Sequence, residues 1–150
     1  ASVAQFFLRR DRAVGMMAYG QSNELLQPDR GERQFNRILE TLSVLRAEGI
    51  VPMQDMLHAE THLFPRGTTL IVVTPNVREE WAVSARQFAR RGLRVVTILV
   101  NPESFFGQRS AQPLYHLLRA SGMVAYLINN GDDLTAALSS GAGRQGFFAI

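Results

Sequence analysis

The sequence contains no cysteine, which excludes a disulfide framework, a thiolate metal site and a cysteine nucleophile. It contains no lysine either. All 16 basic residues are arginine, so Schiff-base and P-loop lysine chemistry is excluded as well. Histidine is scarce, at three, and no apolar run approaches the ~20 residues a spanning helix needs. The segment is therefore expected to make no membrane contact. What is present is one domain's worth of ordinary globular composition. The chain has 150 residues, close to the ~100–150 of a common domain. At 46% hydrophobic and 19% charged it is too apolar for a disordered tail. It is expected to fold without metal or disulfide.

The net charge of +3 is modest, and the arginines are spread along the chain. Two denser spots occur, at Arg9, Arg10 and Arg12 and at Arg86, Arg90, Arg91 and Arg94. Both fit solvated helix ends, where cations complement the helix dipole. Nucleic-acid binders instead concentrate charge on one stripe, so no nucleic-acid partner is expected. The opening ASVAQFFLRR reads as the inside of an amphipathic helix without an initiating methionine. The chain is accordingly expected to be a piece of a longer protein.

Four apolar, β-branched runs predict strands at 13–19, 69–74, 94–100 and 123–128. Three are nearly continuous rather than alternating, as in strands buried on both faces. Residues 23–28 predict a short antiparallel edge strand, joined to 13–19 by a hairpin-sized Gly20–Ser22 connection. Helical spacing predicts five helices. They are 32–46 (Phe35, Ile38, Leu39, Leu42, Leu45), 53–64 (Met53, Met56, Leu57, Leu63), 78–91 (Trp81, Ala85, Phe88, Ala89), 111–121 (Leu114, Leu117, Leu118) and 132–139. The last begins with Asp132-Asp133, an N-cap pair. Gly92 and Gly122 end two helices with a strand directly behind them, which implies left-handed capping and a tight turn. Alternating strands and helices imply an α/β layered fold, with a mostly parallel sheet and right-handed crossovers.

Chemical motifs are weak. His58 and His62 stand four apart on the predicted 53–64 helix and so share a face. In HAETH, however, Glu60 projects about 200° from the first histidine at helical spacing, unlike the base of a zinc protease. GAGRQG (141–146) matches the dinucleotide fingerprint by letter, but it follows a helix instead of opening one. Residues 139–150 are expected to form a flexible or extended tail. His116 sits within a helical pattern beside Tyr115, where packing explains it. Ligands of open α/β sheets bind at the strands' carboxyl ends. That position makes Thr74, Asn76, Asn101, Glu103 and Asp132 the candidate binding rim, with no catalytic residue, metal ligand or cofactor assigned. Asn and Pro at such ends also serve simply as turn formers.

Several segments together carry a resemblance: VGMMAYG (14–20), RGERQFNRILETLSVL (30–45), TTLIVVTPN (68–76), RRGLRVVTILVNPESFFG (90–107) and VAYLINNGDDLTAAL (124–138). The chain resembles bacterial proteins with a von Willebrand factor A-like domain, often encoded beside MoxR-type AAA+ ATPases. The resemblance implies a doubly wound, Rossmann-like sheet of order 3-2-1-4-5-6 with helices on both faces, whose first, central strand precedes residue 1. In metal-binding relatives that strand ends in Asp-x-Ser-x-Ser, and a second acidic ligand lies in Thr-Asp-Gly after the fourth strand. Here the fourth strand ends in Thr74-Pro75-Asn76, and Val51 stands where a threonine is expected, so no metal is expected. The resemblance also implies a cytoplasmic location and membrane helices ahead of the domain.

Lacking the central strand, 13–19 and 69–74 would each present an apolar edge, and exposed edges recruit strands. The two strands are expected to pair directly in a rearranged sheet, or else the N-terminal residues or a second copy fill the gap. A homodimer through the sheet edge is expected on that ground. Two functions follow. One is a non-catalytic interaction module for a protein partner, by analogy a MoxR-type ATPase. The other is a small-molecule or phosphate-binding α/β enzyme that uses the rim.

Overall fold

The computed structural model describes residues 1–60, 62 and 64–140. Its backbone divides into two compact units, Ala1–Pro52 and Met53–Ile150.

The first unit contains helix α1 (Ser2–Leu8), strands β1 (Val14–Tyr19) and β2 (Asn23–Asp29), and helix α2 (Gly31–Val44). β1 and β2 form the expected antiparallel hairpin, from Val14 opposite Asp29 to Tyr19 opposite Asn23. A bulge falls at Gly15, between Val14 and Met16. A Cβ there would lie 2.8 Å from the Leu26 carbonyl oxygen, so the bulge requires glycine. Two glutamine amides stitch the unit together. Gln34, fully buried on α2, donates through Nε2 to the carbonyls of Val14 (2.7 Å) and Gln27 (2.9 Å). Gln21, in the hairpin loop, donates to the Val44 carbonyl (2.8 Å) and accepts from the Arg46 N–H (2.6 Å). It thereby satisfies the open end of α2. The apolar stripe expected on this helix is only partly inward: Ile38 is buried, whereas Leu39 and Leu42 are exposed.

The second unit contains helix α3 (Met53–Ala59), strand β3 (Thr69–Thr74), helix α4 (Glu80–Arg90), strand β4 (Arg94–Val100), a short 3-10 helix (Pro102–Phe105), helix α5 (Gln112–Ala120), strand β5 (Val124–Ile128) and helix α6 (Leu134–Ser140). Its strands form a parallel sheet of order β3-β4-β5 flanked by helices, an α/β architecture of the expected class. β4 is central, and residues 95–99 along it are all buried, as its unbroken apolar run requires. Trp81, Ala85 and Phe88 of α4 and Leu114 and Leu118 of α5 complete the core. The Thr97 hydroxyl is the one buried side-chain polar atom without a hydrogen-bond partner among the described residues.

Gly92 (φ +90°) and Gly122 (φ +76°) close α4 and α5 as expected. In α4 the Leu93 N–H donates to Phe88 and the Gly92 N–H to Ala89. In α5 the Met123 and Gly122 N–H groups reach Leu118 and Arg119 in the same way. Each glycine thus satisfies the last carbonyls while turning the chain straight into a strand. At α6 the Asp133 Oδ1 accepts from the Ala136 N–H at 2.8 Å, so Asp133 is the cap and Asp132 is free for another role.

Three expectations need correction. No single rearranged sheet forms: β1 pairs with β2 and β3 with β4, in two separate sheets, so β1 and β3 do not pair directly. The 53–64 helix ends at Ala59, with Pro65 and Gly67 close behind, and His62 lies beyond its last turn with Nδ1 3.2 Å from the Ala59 carbonyl. His58 and His62 therefore share no α-helical face. The 132–139 helix starts at Leu134 and runs to Ser140. Thr61, Leu63 and residues 141–150, including the GAGRQG segment, lie outside the described residues. Among the described residues no helix is long and apolar enough to cross a membrane.

Candidate functional site

Because β3, β4 and β5 run parallel, their carboxyl ends and following loops share one end of the second unit's sheet. All five rim residues lie there, and the structure sorts them into three groups.

The first group is a strut built on Asn101. This residue is 4% exposed. Its Nδ2 donates to Asn129 Oδ1 at 2.9 Å, and its Oδ1 accepts from the Ala111 N–H at 2.9 Å. One side chain therefore ties the end of β4 both to the loop after β5 and to the start of α5. Its backbone adds three bonds: the N–H donates to the Ile128 carbonyl (2.8 Å), and the carbonyl accepts from the Ser104 hydroxyl (2.8 Å) and the Ser104 N–H (3.2 Å). The Ser104 oxygen accepts in turn from the Asn130 N–H (2.9 Å). Asp132 joins through its Oδ2, which accepts from the Asn129 N–H at 2.8 Å and from Asn129 Nδ2 at 3.3 Å. Asn101 and Asp132 are thus brought into one continuous network through Asn129.

The second group is the turn after β3. Thr74 is buried, and its hydroxyl accepts from the Asn76 N–H at 3.0 Å. Asn76 Oδ1 accepts from the Arg78 N–H at 2.9 Å. The Asn76 carbonyl takes the indole N–H of the fully buried Trp81 at 3.1 Å. These successive side-chain turns aim the chain into α4. They are linked to the core tryptophan and not to the Asn101 network. Glu103, the third case, is exposed on the short 3-10 helix and joins neither group.

Buried polar groups must find partners, and on this rim they find one another. Asn101 has both ends of its amide engaged, Thr74 and Asn76 hold the backbone, and Asp132 holds a loop. The arrangement fixes loop shape. It places no nucleophile against a base, and among the described residues no three acidic, histidine or cysteine side chains gather where they could hold a metal.

Beside its exposed charged residues the rim presents two aromatic side chains that the sequence reading does not single out. Phe105 is 46% exposed and Phe106 98% exposed. Phe106 also adopts a left-handed conformation (φ +69°), unusual for a residue with a side chain. The signal was the Phe-Phe pair of ESFFG in a turn-forming stretch, where a solvated loop needs no aromatics. Three residues further on, Arg109 joins Val77, Arg78, Glu79, Glu80 and Val83 around a shallow depression of about 690 Å³. Val83, on α4, is half exposed where it lines this depression.

No family model matches the chain, and neither a curated protein nor a solved structure does.

Proposed function

We propose that the chain is a non-catalytic interaction module that docks a protein partner through the carboxyl-end rim of its parallel sheet. A MoxR-type AAA+ ATPase is the partner suggested by the resemblance to von Willebrand factor A-like proteins. The observation that carries this reading is the division of labour on the rim: polar side chains brace the loops from within, while Phe105 and Phe106 face solvent. Exposed aromatic side chains of this kind are enriched at protein–protein interfaces relative to the rest of the surface. Binding pockets keep a few polar groups available for substrate, whereas Asn101, Thr74, Asn76 and Asp132 here are engaged in bracing the loops.

The finer assignment, a von Willebrand A-like sheet lacking its first strand, draws support from strand neighbours. Among the described residues β1 and β3 each have a single partner strand, as strands on either side of a missing one would. β3 carries no charge or proline along TLIVVT, and Val73 is 58% exposed. Natural edge strands normally carry such guards.

The test is a binding titration of the chain against a purified MoxR-type ATPase, with wild type and Phe105→Ser/Phe106→Gly compared. Saturable binding by wild type that weakens at least tenfold in the double variant is expected. Binding that ignores the substitution moves the contact elsewhere. A thermal-shift panel of nucleotides and phosphorylated metabolites serves as counter-test. Clear stabilisation by one of them, lost on substituting Asn76 or Glu103, would favour the small-molecule reading instead.

A further inference from the structure

At the end of the second unit's sheet opposite the rim lies a hollow of about 270 Å³, lined by Phe64, Arg66, Phe88, Arg91 and Leu93. Two chain segments build it. Phe64 and Arg66 belong to the approach to β3, and Phe88, Arg91 and Leu93 to the close of α4 and the entry to β4. Backbone bonds pin the segments together: the Gly67 N–H donates to the Gly92 carbonyl at 3.2 Å, and the Arg94 N–H to the Thr68 carbonyl at 3.0 Å. The hollow is therefore preformed, as small-molecule sites usually are.

Three of its five lining residues are apolar. Phe88 and Leu93 are buried, and the Phe64 ring stands edge-on to Phe88 with centroids 6.2 Å apart. The other two are arginines, both exposed. Neither guanidinium has a hydrogen-bond or ion-pair partner among the described residues. The dipole of α4 accounts for one cation at its carboxyl end, and Arg90 in the last turn already supplies it. Arg66 sits instead in the turn before β3. Its Cγ lies 4.0 Å from where a Cβ on Gly92 would be, so its stem crosses to the α4 side. Two uncompensated like charges at one apolar hollow repel each other, and an anion bound between them removes that cost.

We infer that this hollow binds a small aromatic carboxylate, its ring against Phe64, Phe88 and Leu93 and its carboxylate held by Arg66 and Arg91. The guanidinium fork matches a carboxylate in shape and charge. Phenylalanine rings accept a further ring edge-to-face or offset. A bare inorganic anion would leave the apolar side wet, and a neutral ring would leave the arginines unmatched. The volume falls just short of the ~300–1,000 Å³ of drug-sized pockets, which limits the ligand to one or two rings. The inference is independent of ATPase docking and of the rim, which use the opposite end of the sheet.

An NMR titration of the full chain with cinnamate, in buffer free of phosphate, tests it. Saturable shifts should appear at the backbone N–H groups of Arg66 to Thr68 and of Arg91 to Arg94. The dissociation constant should be ~1 mM or tighter, which a ligand of this size reaches at ordinary efficiency. Arg66→Gln and Arg91→Gln should each weaken binding at least tenfold, as the loss of one charge-assisted pairing does. Arg90→Gln removes the same charge just outside the hollow and should change affinity less than twofold, because exposed charges without direct contact are screened. All three arginines are exposed, so the variants should fold as wild type does. Neutral cinnamamide should bind at least tenfold more weakly than cinnamate, and equimolar inorganic phosphate should not displace it. Phe105→Ser/Phe106→Gly should bind cinnamate as wild type does, which keeps this result separate from the ATPase titration. No saturable shift with cinnamate at ~20 mM, well above the constant expected for its size, overturns the inference. So does binding that survives both Arg66→Gln and Arg91→Gln, an equal loss with Arg90→Gln, cinnamamide binding as tightly, or displacement by phosphate.

Discussion

The two units hold themselves together by different means. In Ala1–Pro52 only Leu8 and Ile38 are buried apolar residues, and the most buried side chain is an amide, Gln34. The second unit buries Trp81, Tyr126, Phe88, Leu99 and Leu118 among many others around one parallel sheet. An apolar core gains free energy in proportion to area and tolerates small errors of angle. A hydrogen-bonded stitch contributes little net stability, yet leaves an expensive unsatisfied carbonyl when removed. The first unit should therefore be the softer of the two and the more sensitive to a single polar substitution. Hydrogen exchange is expected to run faster in β1 and β2 than in β4.

Substitutions can break or sharpen that contrast. Trp81→Ala has the largest expected effect, a loss of ~3–5 kcal/mol typical of a buried tryptophan, with the Asn76 carbonyl orphaned in addition. Denaturant unfolding should show the loss. Exchange protection in β4 should fall much further than in β1. Equal loss in both would mean that the units unfold as one and the contrast is only geometric. Gln34→Met comes next. It keeps the volume but leaves the Val14 and Gln27 carbonyls unpaired, at ~1–3 kcal/mol, and the damage should be confined to the hairpin amides. Asp133→Ala removes the α6 cap and should cost ~1 kcal/mol, read as faster exchange at Ala136 and Ala137. The smallest effect is expected from Arg30→Ala. Its 3.0 Å ion pair with Asp11 is largely exposed, and such pairs are worth under ~1 kcal/mol. A shift in Tm beyond the error of the measurement would show that the first unit depends on that pair.

Sequence reasoning reached the parts of this molecule whose signals are local. β4 is visible because six consecutive positions, Val95 to Val100, are apolar or β-branched ahead of the Asn101-Pro102 turn. The hairpin was visible in the spacing from Gly20 to Ser22. Gln34 was not, since an amide on a helix reads as surface and its two acceptors lie 7 and 20 residues away. The early end of α3 was missed because helical spacing through Leu63 outweighed the breakers that follow. At the rim, all five candidates lie at the expected end of the sheet, but their roles were illegible. Asn101 looks like any turn-forming asparagine until its partners, 10 and 28 residues away in the chain, are known. Phe106 was passed over because its exposure is a property of the folded loop and not of the residue.

The glycine-closed helix ends also determine where this chain can change length. At the amino-terminal end of the parallel sheet, Gly92 and Gly122 leave no slack between helix and strand. Two crossing bonds, the Gly67 N–H to the Gly92 carbonyl and the Arg94 N–H to the Thr68 carbonyl, knit adjacent strand entries together. One residue inserted there would rotate every side chain of the following strand to the opposite face. At the other end, residues 108–110, beyond Phe106 and the Gly107–Pro102 bond, lead into α5 with no strand register to preserve. The molecule thus has one edge that must be copied faithfully and another where insertions, tags or grafted loops can be accommodated.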